Sequence, residues 1–295
     1  MIQDKIKGVG VALITPFRNY EVDYDALARM VEHVIAGGVD YIVALGSTAE
    51  TATLSLKERD AVLRFIIKQT AHRVPIVAGM GGNDTHAIIE QLKSFDLSDT
   101  VAILSVVPYY NKPSQEGIYR HFMAIAEASP VPVIIYNVPG RTGVNMTAET
   151  TLRLAKATDK IIAIKEACGN IEQMQEILNA RPENFLVLSG DDGLTVELIK
   201  HGGEGVISVA ANAFPERFCT CIHNAMAGDT AKAEGEIEQL AEPINLLFKE
   251  GNPTGIKGMC NAMGITTAEV RLPLVECSER LHNEIKNAIV VYDLK

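Results

Sequence analysis

Eight short apolar runs, spread along the first 209 residues, constrain the fold of this chain more than any other feature. They are rich in Val and Ile, and segments with apolar residues at helical spacing separate them. Strands that are apolar on both faces are typical of a parallel sheet covered on both sides. Eight such strands joined by crossovers predict an α/β fold, a TIM (β/α)8 barrel, which fits better than an open doubly wound sheet. The runs are residues 9–14, 41–45, 75–78, 101–107, 132–136, 161–164, 185–188 and 205–209.

The strand pattern stops near residue 210, and the rest of the chain has helical spacing. We therefore predict a barrel over residues 1–224 and a C-terminal helical region over residues 225–295. No flexible linker separates the two, so the helical region is expected to pack on the barrel. Residues suited to cap helices stand at several predicted helix starts, namely Asp23, Ser55 and Thr147.

The composition of the 295-residue chain excludes several classes of protein. Hydrophobic residues make up 47% of it, which is too large a share for a disordered chain. The formal net charge is −10, and no basic run stands out, so we expect no nucleic-acid partner. No run approaches the roughly 18 apolar residues of a membrane span, and the N-terminus lacks a signal-peptide pattern. We therefore expect a cytoplasmic protein with no membrane partner.

The sequence contains no motif for a metal or an organic cofactor. Its seven histidines include no H-x-x-x-H pair, and the glycine-rich signatures of nucleotide sites are absent. The five cysteines are unevenly spaced, which favours buried free thiols over a metal site, even for Cys219 and Cys221. Asp191 and Asp192 could bind a cation, but helix capping is the favoured interpretation of both. We expect no cofactor and no metal.

Lys165 is the first candidate catalytic residue, because it directly follows the buried run at 161–164. Catalytic groups of a TIM barrel lie at the carboxyl ends of its strands, so this amine is expected at the barrel mouth. Burial there can lower the pKa of a lysine from about 10.4 to roughly 7–8, and a neutral amine can form a Schiff base with a carbonyl. The alternative is a strand-end lysine that reaches solvent or pairs with Glu166.

Three hydroxyl groups and one guanidinium are expected near Lys165. Tyr136 ends the preceding strand, and Ser47 and Tyr110 follow two other strands, so their hydroxyls could pass a proton during imine formation. Arg141 stands in a Pro-Gly-Arg-Thr-Gly turn, where a guanidinium suits a substrate carboxylate. Alternatively, Tyr136 only caps the core and Arg141 is a solvated loop residue.

Five segments near the predicted strand ends form a linked set: GSTAE at 46–50, PYYNKPSQEG at 108–117, YNVPGRTG at 136–143, IKEACGN at 164–170 and LSGDD at 188–192. In this order and spacing they resemble the dihydrodipicolinate synthase and N-acetylneuraminate lyase superfamily. The resemblance extends over nearly the whole chain. Within the superfamily, the arginine at position 141 favours the synthases over the sialic acid lyases.

The resemblance implies a role for each candidate catalytic residue. Lys165 would form the imine with pyruvate, and Tyr136 would be the proton donor and acceptor. Ser47 and Tyr110 would complete the proton relay, with Tyr110 supplied by a neighbouring subunit. A homotetramer, built as a dimer of dimers, is implied as well.

The resemblance also implies the substrates and the residues that bind them. Thr48 and the backbone near Ile207 would hold the pyruvate carboxylate, Gly190 would line the pocket, and Arg141 would bind the carboxylate of L-aspartate 4-semialdehyde. The product would be 4-hydroxy-tetrahydrodipicolinate, in the diaminopimelate route to lysine. Two alternatives are another pyruvate-dependent aldolase or lyase of the superfamily and a non-catalytic ligand-binding barrel.

The sequence departs from the family pattern in two respects, the loop at 47–49 and the positions linked to inhibition by lysine. Ser47 stands where a threonine is usual, which keeps the hydroxyl but loses the methyl that restricts its rotamer. Ala49 replaces a glycine, which requires that its backbone φ not be positive. Leu56 and Ala87 occupy positions where lysine-inhibited relatives have His and Glu, so we expect weak or absent inhibition by lysine.

Overall fold

Eight parallel strands close into a barrel in the computed structural model, which describes residues 2–294. Each strand pairs with its sequence neighbour in the barrel, and the first strand pairs with the last, which confirms the predicted fold. The barrel strands are β1 (Gly8–Ala12), β4 (Tyr41–Ala44), β5 (Ile76–Gly79), β6 (Ala102–Val106), β7 (Val133–Asn137), β8 (Ile161–Glu166), β9 (Leu186–Ser189) and β10 (Gly205–Ser208). A small antiparallel hairpin follows the first strand, formed by β2 (Phe17–Arg18) and β3 (Glu21–Val22).

Helices follow the barrel strands and cover the outside of the barrel. Those that follow the first seven barrel strands are α1 (Tyr24–Ala36), α2 (Leu56–Thr70), α3 (Thr85–Ser94), α4 (Gln115–Ala128), α5 (Pro139–Thr142), α6 (Ala148–Ala157), α7 (Ile171–Ala180) and α8 (Thr195–Lys200). The remaining helices are α9 (Pro215–Met226), α10 (Thr230–Phe248), α11 (Thr254–Ala262) and α12 (Glu279–Val291). Among residues 2–294, no helix is both long enough and apolar enough to cross a bilayer.

The barrel strands are buried on both faces, as the apolar runs predict, because two hydrophobic layers meet at the sheet. Alternate side chains point into the barrel, and the others pack against the surrounding helices. The inner layer includes Val43, Val77, Leu104, Ile134 and Leu188. The outer layer joins strand residues to helix residues such as Met30, Val62, Phe122, Leu154 and Ile177.

The ladder between β7 and β8 contains an irregularity close to the predicted catalytic residues. Val133 lies opposite Ile161, whereas Tyr136 lies opposite Lys165. The β8 strand therefore has one more residue than β7 over this stretch, as in a β-bulge. The shift brings Tyr136 and Lys165 into direct register on neighbouring strands.

The chain after the barrel forms three further helices that pack together. The α9 helix packs on β1 and α1 as the last barrel helix, and α10 packs on α9, α11 and α12. The division predicted at 224/225 falls in the last turn of α9, which ends at Met226, and the division into 1–224 and 225–295 stays a prediction.

The predicted helix caps are confirmed. Asp23 accepts a hydrogen bond from the Ala26 amide at the start of α1, and Thr147 accepts one from the Thr150 amide at the start of α6. Ser55 forms a complete capping box with Glu58. The cysteines are free thiols: Cys219, Cys221 and Cys260 are buried, and Cys168 and Cys277 are half-buried. Burial raises the pKa of the Cys219 and Cys221 thiols to about 12, so neither is a ready thiolate ligand.

Candidate active site

A cavity of about 580 Å³ opens at the carboxyl ends of the barrel strands. Five of the sequence-predicted site residues line it, namely Lys165, Tyr136, Thr48, Arg141 and Gly190. The C-terminal region supplies much of the opposite wall, through α10 and the segment after it: Ile237, Glu238, Ala241, Ile244, Asn245, Phe248 and Asn252. The helical region therefore forms part of the site.

Lys165 is held as a buried amine beside an aromatic ring. Its side chain is 5% exposed, and Nζ lies 4.4 Å from the centroid of the Tyr136 ring. Its pKa is lowered to about 7, chiefly by burial and to a smaller extent by the charge of Arg141, while the charge of Asp192 acts in the opposite direction. A substantial fraction of the amine is therefore neutral near pH 7, and the neutral form is the one that attacks a carbonyl.

Tyr136 is a buried phenol that stays protonated at neutral pH. Burial raises its pKa, against the charge of Arg141 and a side-chain hydrogen bond with Ser47, which both lower it. Ser47 itself is exposed and lines a second cavity of about 430 Å³ that adjoins the first, since Tyr136 and Arg141 line both. The predicted contact between the two relay hydroxyls is therefore present within one chain.

Asn252 connects two predicted substrate-binding residues. Its Nδ2 donates to Thr48 Oγ1 at 2.9 Å, and its carbonyl accepts from Arg141 Nη2 at 2.9 Å. Arg141 lies on α5, a single helical turn that Gly143 ends with φ at +71°. Sequence reasoning missed Asn252, because its contacts join residues more than 100 positions apart.

Gly190 brings β9 close to the lysine. A Cβ at this position would lie 2.5 Å from Ala167 Cβ and 3.1 Å from Lys165 Cε. Its amide donates to the Glu166 carbonyl at 2.7 Å, so the backbone cannot easily move away. A side chain here would therefore clash with Ala167 and press against Lys165, so a glycine fits this part of the cavity wall.

Two predicted site residues lie apart from the cavity wall. Tyr110 is 83% exposed and has a φ of +74°, a strained backbone conformation for an aromatic residue. Within the described chain it lines neither cavity. Ile207 is buried among the inner barrel residues, and Val209 lines the cavity instead, so the prediction for Ile207 rests on its backbone alone.

The favoured interpretation of the aspartate pair as helix caps is wrong, because α8 begins after Leu194 and no side chain among the described residues caps it. Asp191 Oδ1 accepts from the amides of Gly193 and Leu194, just before α8. Asp192 instead turns into the protein, where its Oδ2 accepts from the amides of Val209 and Ala210 at 3.1 and 3.0 Å. Asp192 takes this position because the amides of Val209 and Ala210 directly follow β10 and need a hydrogen-bond acceptor.

A buried ion pair, which sequence reasoning missed, holds the 46–54 loop against α11. Lys257 on α11 forms an ion pair with Glu50, and both side chains are almost fully buried. The second carboxylate oxygen of Glu50 accepts from the Arg271 amide at 2.9 Å. Glu50 has a φ of +55°, whereas Ala49 does not have a positive φ, so the alanine meets the condition set for it.

Comparisons with known proteins agree with this geometry. Residues 5–291 match the model of the dihydrodipicolinate synthetase family. The chain is 54% identical to a 4-hydroxy-tetrahydrodipicolinate synthase of Phocaeicola vulgatus over 93% of each chain, and 49% identical to one of Parabacteroides distasonis over 100% of each.

Solved structures give the same result. A dihydrodipicolinate synthase of Aquifex aeolicus matches with a TM-score of 0.95 and 39% identity, over 98% of this chain and 99% of that one. One of Thermotoga maritima matches with a TM-score of 0.96 and 34% identity, over 99% and 100%. The chain therefore belongs to the dihydrodipicolinate synthetase family, and it is a lyase.

Proposed function

We propose that this chain condenses pyruvate with L-aspartate 4-semialdehyde to give 4-hydroxy-tetrahydrodipicolinate and water, in the diaminopimelate route to lysine. The carrying observation is Lys165, a buried amine with a pKa near neutrality that lies against Tyr136 in a cavity. The relatives named 4-hydroxy-tetrahydrodipicolinate synthase support the assignment. We expect the reaction to take place in the cytoplasm.

The first half of the reaction makes a nucleophile from pyruvate. The neutral amine of Lys165 attacks the ketone carbon, and loss of water leaves a protonated imine. Tyr136, with Ser47 and Tyr110, passes the protons that this step and the next require. Loss of a methyl proton then returns the electron pair to nitrogen and gives the enamine.

The second half uses the aldehyde. The enamine carbon attacks the aldehyde carbon of the semialdehyde, and the aldehyde oxygen takes a proton to become the 4-hydroxyl group. Arg141 binds the carboxylate of this substrate, and Thr48 with the backbone near Ile207 binds that of pyruvate. The amino group of the substrate then attacks the imine carbon, closes the ring and releases the amine of Lys165.

A coupled assay with pyruvate and aspartate semialdehyde tests the proposal, with N-acetylneuraminate as the control substrate. We expect turnover of the first pair only, and trapping of one pyruvate on Lys165 by borohydride. Arg141→Ala should lose most of the turnover while still trapping pyruvate. Cleavage of N-acetylneuraminate at a comparable rate would instead assign the chain to the lyase branch of the superfamily.

The proposal includes a homotetramer, built as a dimer of dimers, in which Tyr110 enters a neighbouring active site. Its exposure and its strained backbone support this, because both suit a side chain that projects from its own subunit. Dilution to the monomer should abolish turnover, and mixing Tyr110→Phe with Lys165→Met subunits should restore part of it. Full activity in a stable monomer would contradict the shared site.

We also expect lysine not to inhibit the enzyme at micromolar concentrations. Leu56 is exposed at the start of α2, and Ala87 lies in the first turn of α3. Neither offers the carboxylate that the α-amine of a bound lysine requires. Turnover measured with and without lysine decides this.

A further inference from the structure

Asp192 is a buried carboxyl group: burial raises its pKa to about 6, and hydrogen bonds from the Ser208 side chain and from two backbone amides act against this rise and favour the carboxylate. Its side chain is 2% exposed, and Oδ2 accepts from the amides of Val209 and Ala210. Oδ1 is buried without a hydrogen-bond partner in the described part of the chain. A buried polar atom left unpaired is costly, so its presence calls for a reason.

This carboxylate lies on the same side of the barrel as the lysine. Gly190, two residues earlier, approaches Lys165 so closely that a Cβ there would lie 3.1 Å from Cε. Val209, whose amide binds Asp192, lines the cavity together with Lys165. Among residues 2–294 no ion pair joins Asp192 to Lys165, and burial lowers the pKa of the lysine more than the charge of Asp192 raises it.

The reaction at Lys165 creates a charge that this environment must accept. When water leaves the carbinolamine, the nitrogen lone pair forms the C=N bond, and the positive charge then resides on the imine nitrogen. Formation of the enamine returns the electron pair to nitrogen and removes this charge. A carboxylate nearby in a dry site therefore stabilises the imine more than either the neutral amine or the enamine.

The other charged and titratable groups around the lysine are less suited to balance the imine. Arg141 is itself positive, and Tyr136 is a neutral phenol. Asp191 and Glu238 line the cavity, but Asp191 Oδ1 already accepts two amides, and Glu238 stands on the opposite wall, on α10.

We infer that Asp192 is a positioning residue that provides the counter-charge for the protonated imine at Lys165. The inference rests on the proposed function, since it requires an imine at this lysine. Asp192 does not touch the substrate in this account. It acts through its charge on the Lys165 nitrogen, and the amides of Val209 and Ala210 hold it in place.

Asp192→Asn tests the inference, because the amide oxygen can keep both backbone hydrogen bonds while the charge is lost. The readout is the rate of borohydride trapping with saturating pyruvate, measured against pH. Without the carboxylate, both the amine and the imine lose their proton more readily, so both limbs of the profile should move to lower pH by about one unit. The trapping rate at pH 8 should fall about tenfold, because less imine is protonated there.

Asp40→Asn is the matched control, since Asp40 Oδ2 also accepts a backbone amide, that of Val9, at the opposite end of the barrel. Its pH profile should match that of the unmodified chain. If Asp192→Asn does not fold, as judged by circular dichroism, Asp192→Ser removes the same charge with a smaller side chain.

Two outcomes separate this inference from the proposed function. If the unmodified chain traps no pyruvate at any pH, the proposed function fails and the inference fails with it. If it traps pyruvate, and a folded Asp192 variant is slower at every pH with an unshifted profile, Asp192 is only structural. In that case the proposed function stands and the counter-charge role is overturned.

Discussion

Two buried lysines, one in the barrel and one in the C-terminal helices, differ in whether a carboxylate contacts the amine. Lys165 lies 4.4 Å from the centroid of the Tyr136 ring, and Lys257 lies 4.1 Å from that of Phe17. Burial lowers the pKa of both amines, to about 7 and about 8. Lys257 has Glu50 in contact, whereas no carboxylate in the described chain forms an ion pair with Lys165.

The contact with Glu50 decides what each amine can do. An amine in direct contact with a carboxylate keeps its proton, because neutralising it would leave an unpaired carboxylate in a dry environment. Lys257 is therefore suited to hold α11 against the 46–54 loop. The amine of Lys165 loses its proton near neutral pH and is suited to attack a carbonyl. The surroundings of Lys257 thus suit it to a role in stability, and those of Lys165 suit it to a role in catalysis.

The largest expected effect is on activity, from Lys165→Met. Turnover should fall about 10³-fold or more, because no other group can form the imine. The midpoint of thermal unfolding should stay the same or rise, since a buried amine without a contacting carboxylate is replaced by an apolar side chain. A large loss of stability would show that Lys165, like Lys257, stabilises the fold, and would contradict the difference drawn between them.

The next largest effect is on stability, from Lys257→Met. It leaves Glu50 buried without its partner, so the free energy of unfolding should fall by about 3–5 kcal/mol in a urea titration. Pyruvate should still be trapped at Lys165 in the folded fraction. Glu50→Gln combined with Lys257→Met should recover part of the loss, because no uncompensated charge is then buried.

A pH series distinguishes the two amines in solution. Imine formation needs the neutral amine, so its rate should rise about tenfold per pH unit below about 7 and level off above that value. The readout is the single-turnover rate of pyruvate binding. A rate that does not change with pH across this range would contradict a near-neutral pKa for Lys165.

The smallest effect concerns the 46–54 loop, which connects the surroundings of the two lysines. Ser47 interacts with Tyr136 beside Lys165, and Glu50 contacts Lys257. Ser47→Thr should raise turnover about twofold, because the added methyl restricts the rotamer of the relay hydroxyl. Unfolding by urea should be unchanged. Ser47→Ala is the reference, and it should lower turnover about tenfold or more by removing the hydroxyl.

The barrel and the position of the buried lysine at its mouth could be predicted from the sequence because both leave local signals. A buried parallel strand is apolar on both faces, and Lys165 lies near the carboxyl end of such a strand. The residues that surround the site, such as Lys257 and Asp192, leave no such local signal. Lys257 looks like any lysine in a helix, and its partner Glu50 is 207 positions away. Asp192 follows the pattern of a cap, and only the tertiary structure brings the amides of Val209 and Ala210 to it.

The extra residue of β8 has a consequence for how such chains are recognised. In a regular ladder Tyr136 would pair with Ile164, and a slip of one residue turns every following side chain to the other face of a sheet. A relative that lacked one residue between 161 and 165 could keep every functional letter and still direct its lysine into the helix layer. The number of residues before the lysine therefore matters as much as the motif itself. An alignment that places a gap there aligns a lysine on the other face of the sheet.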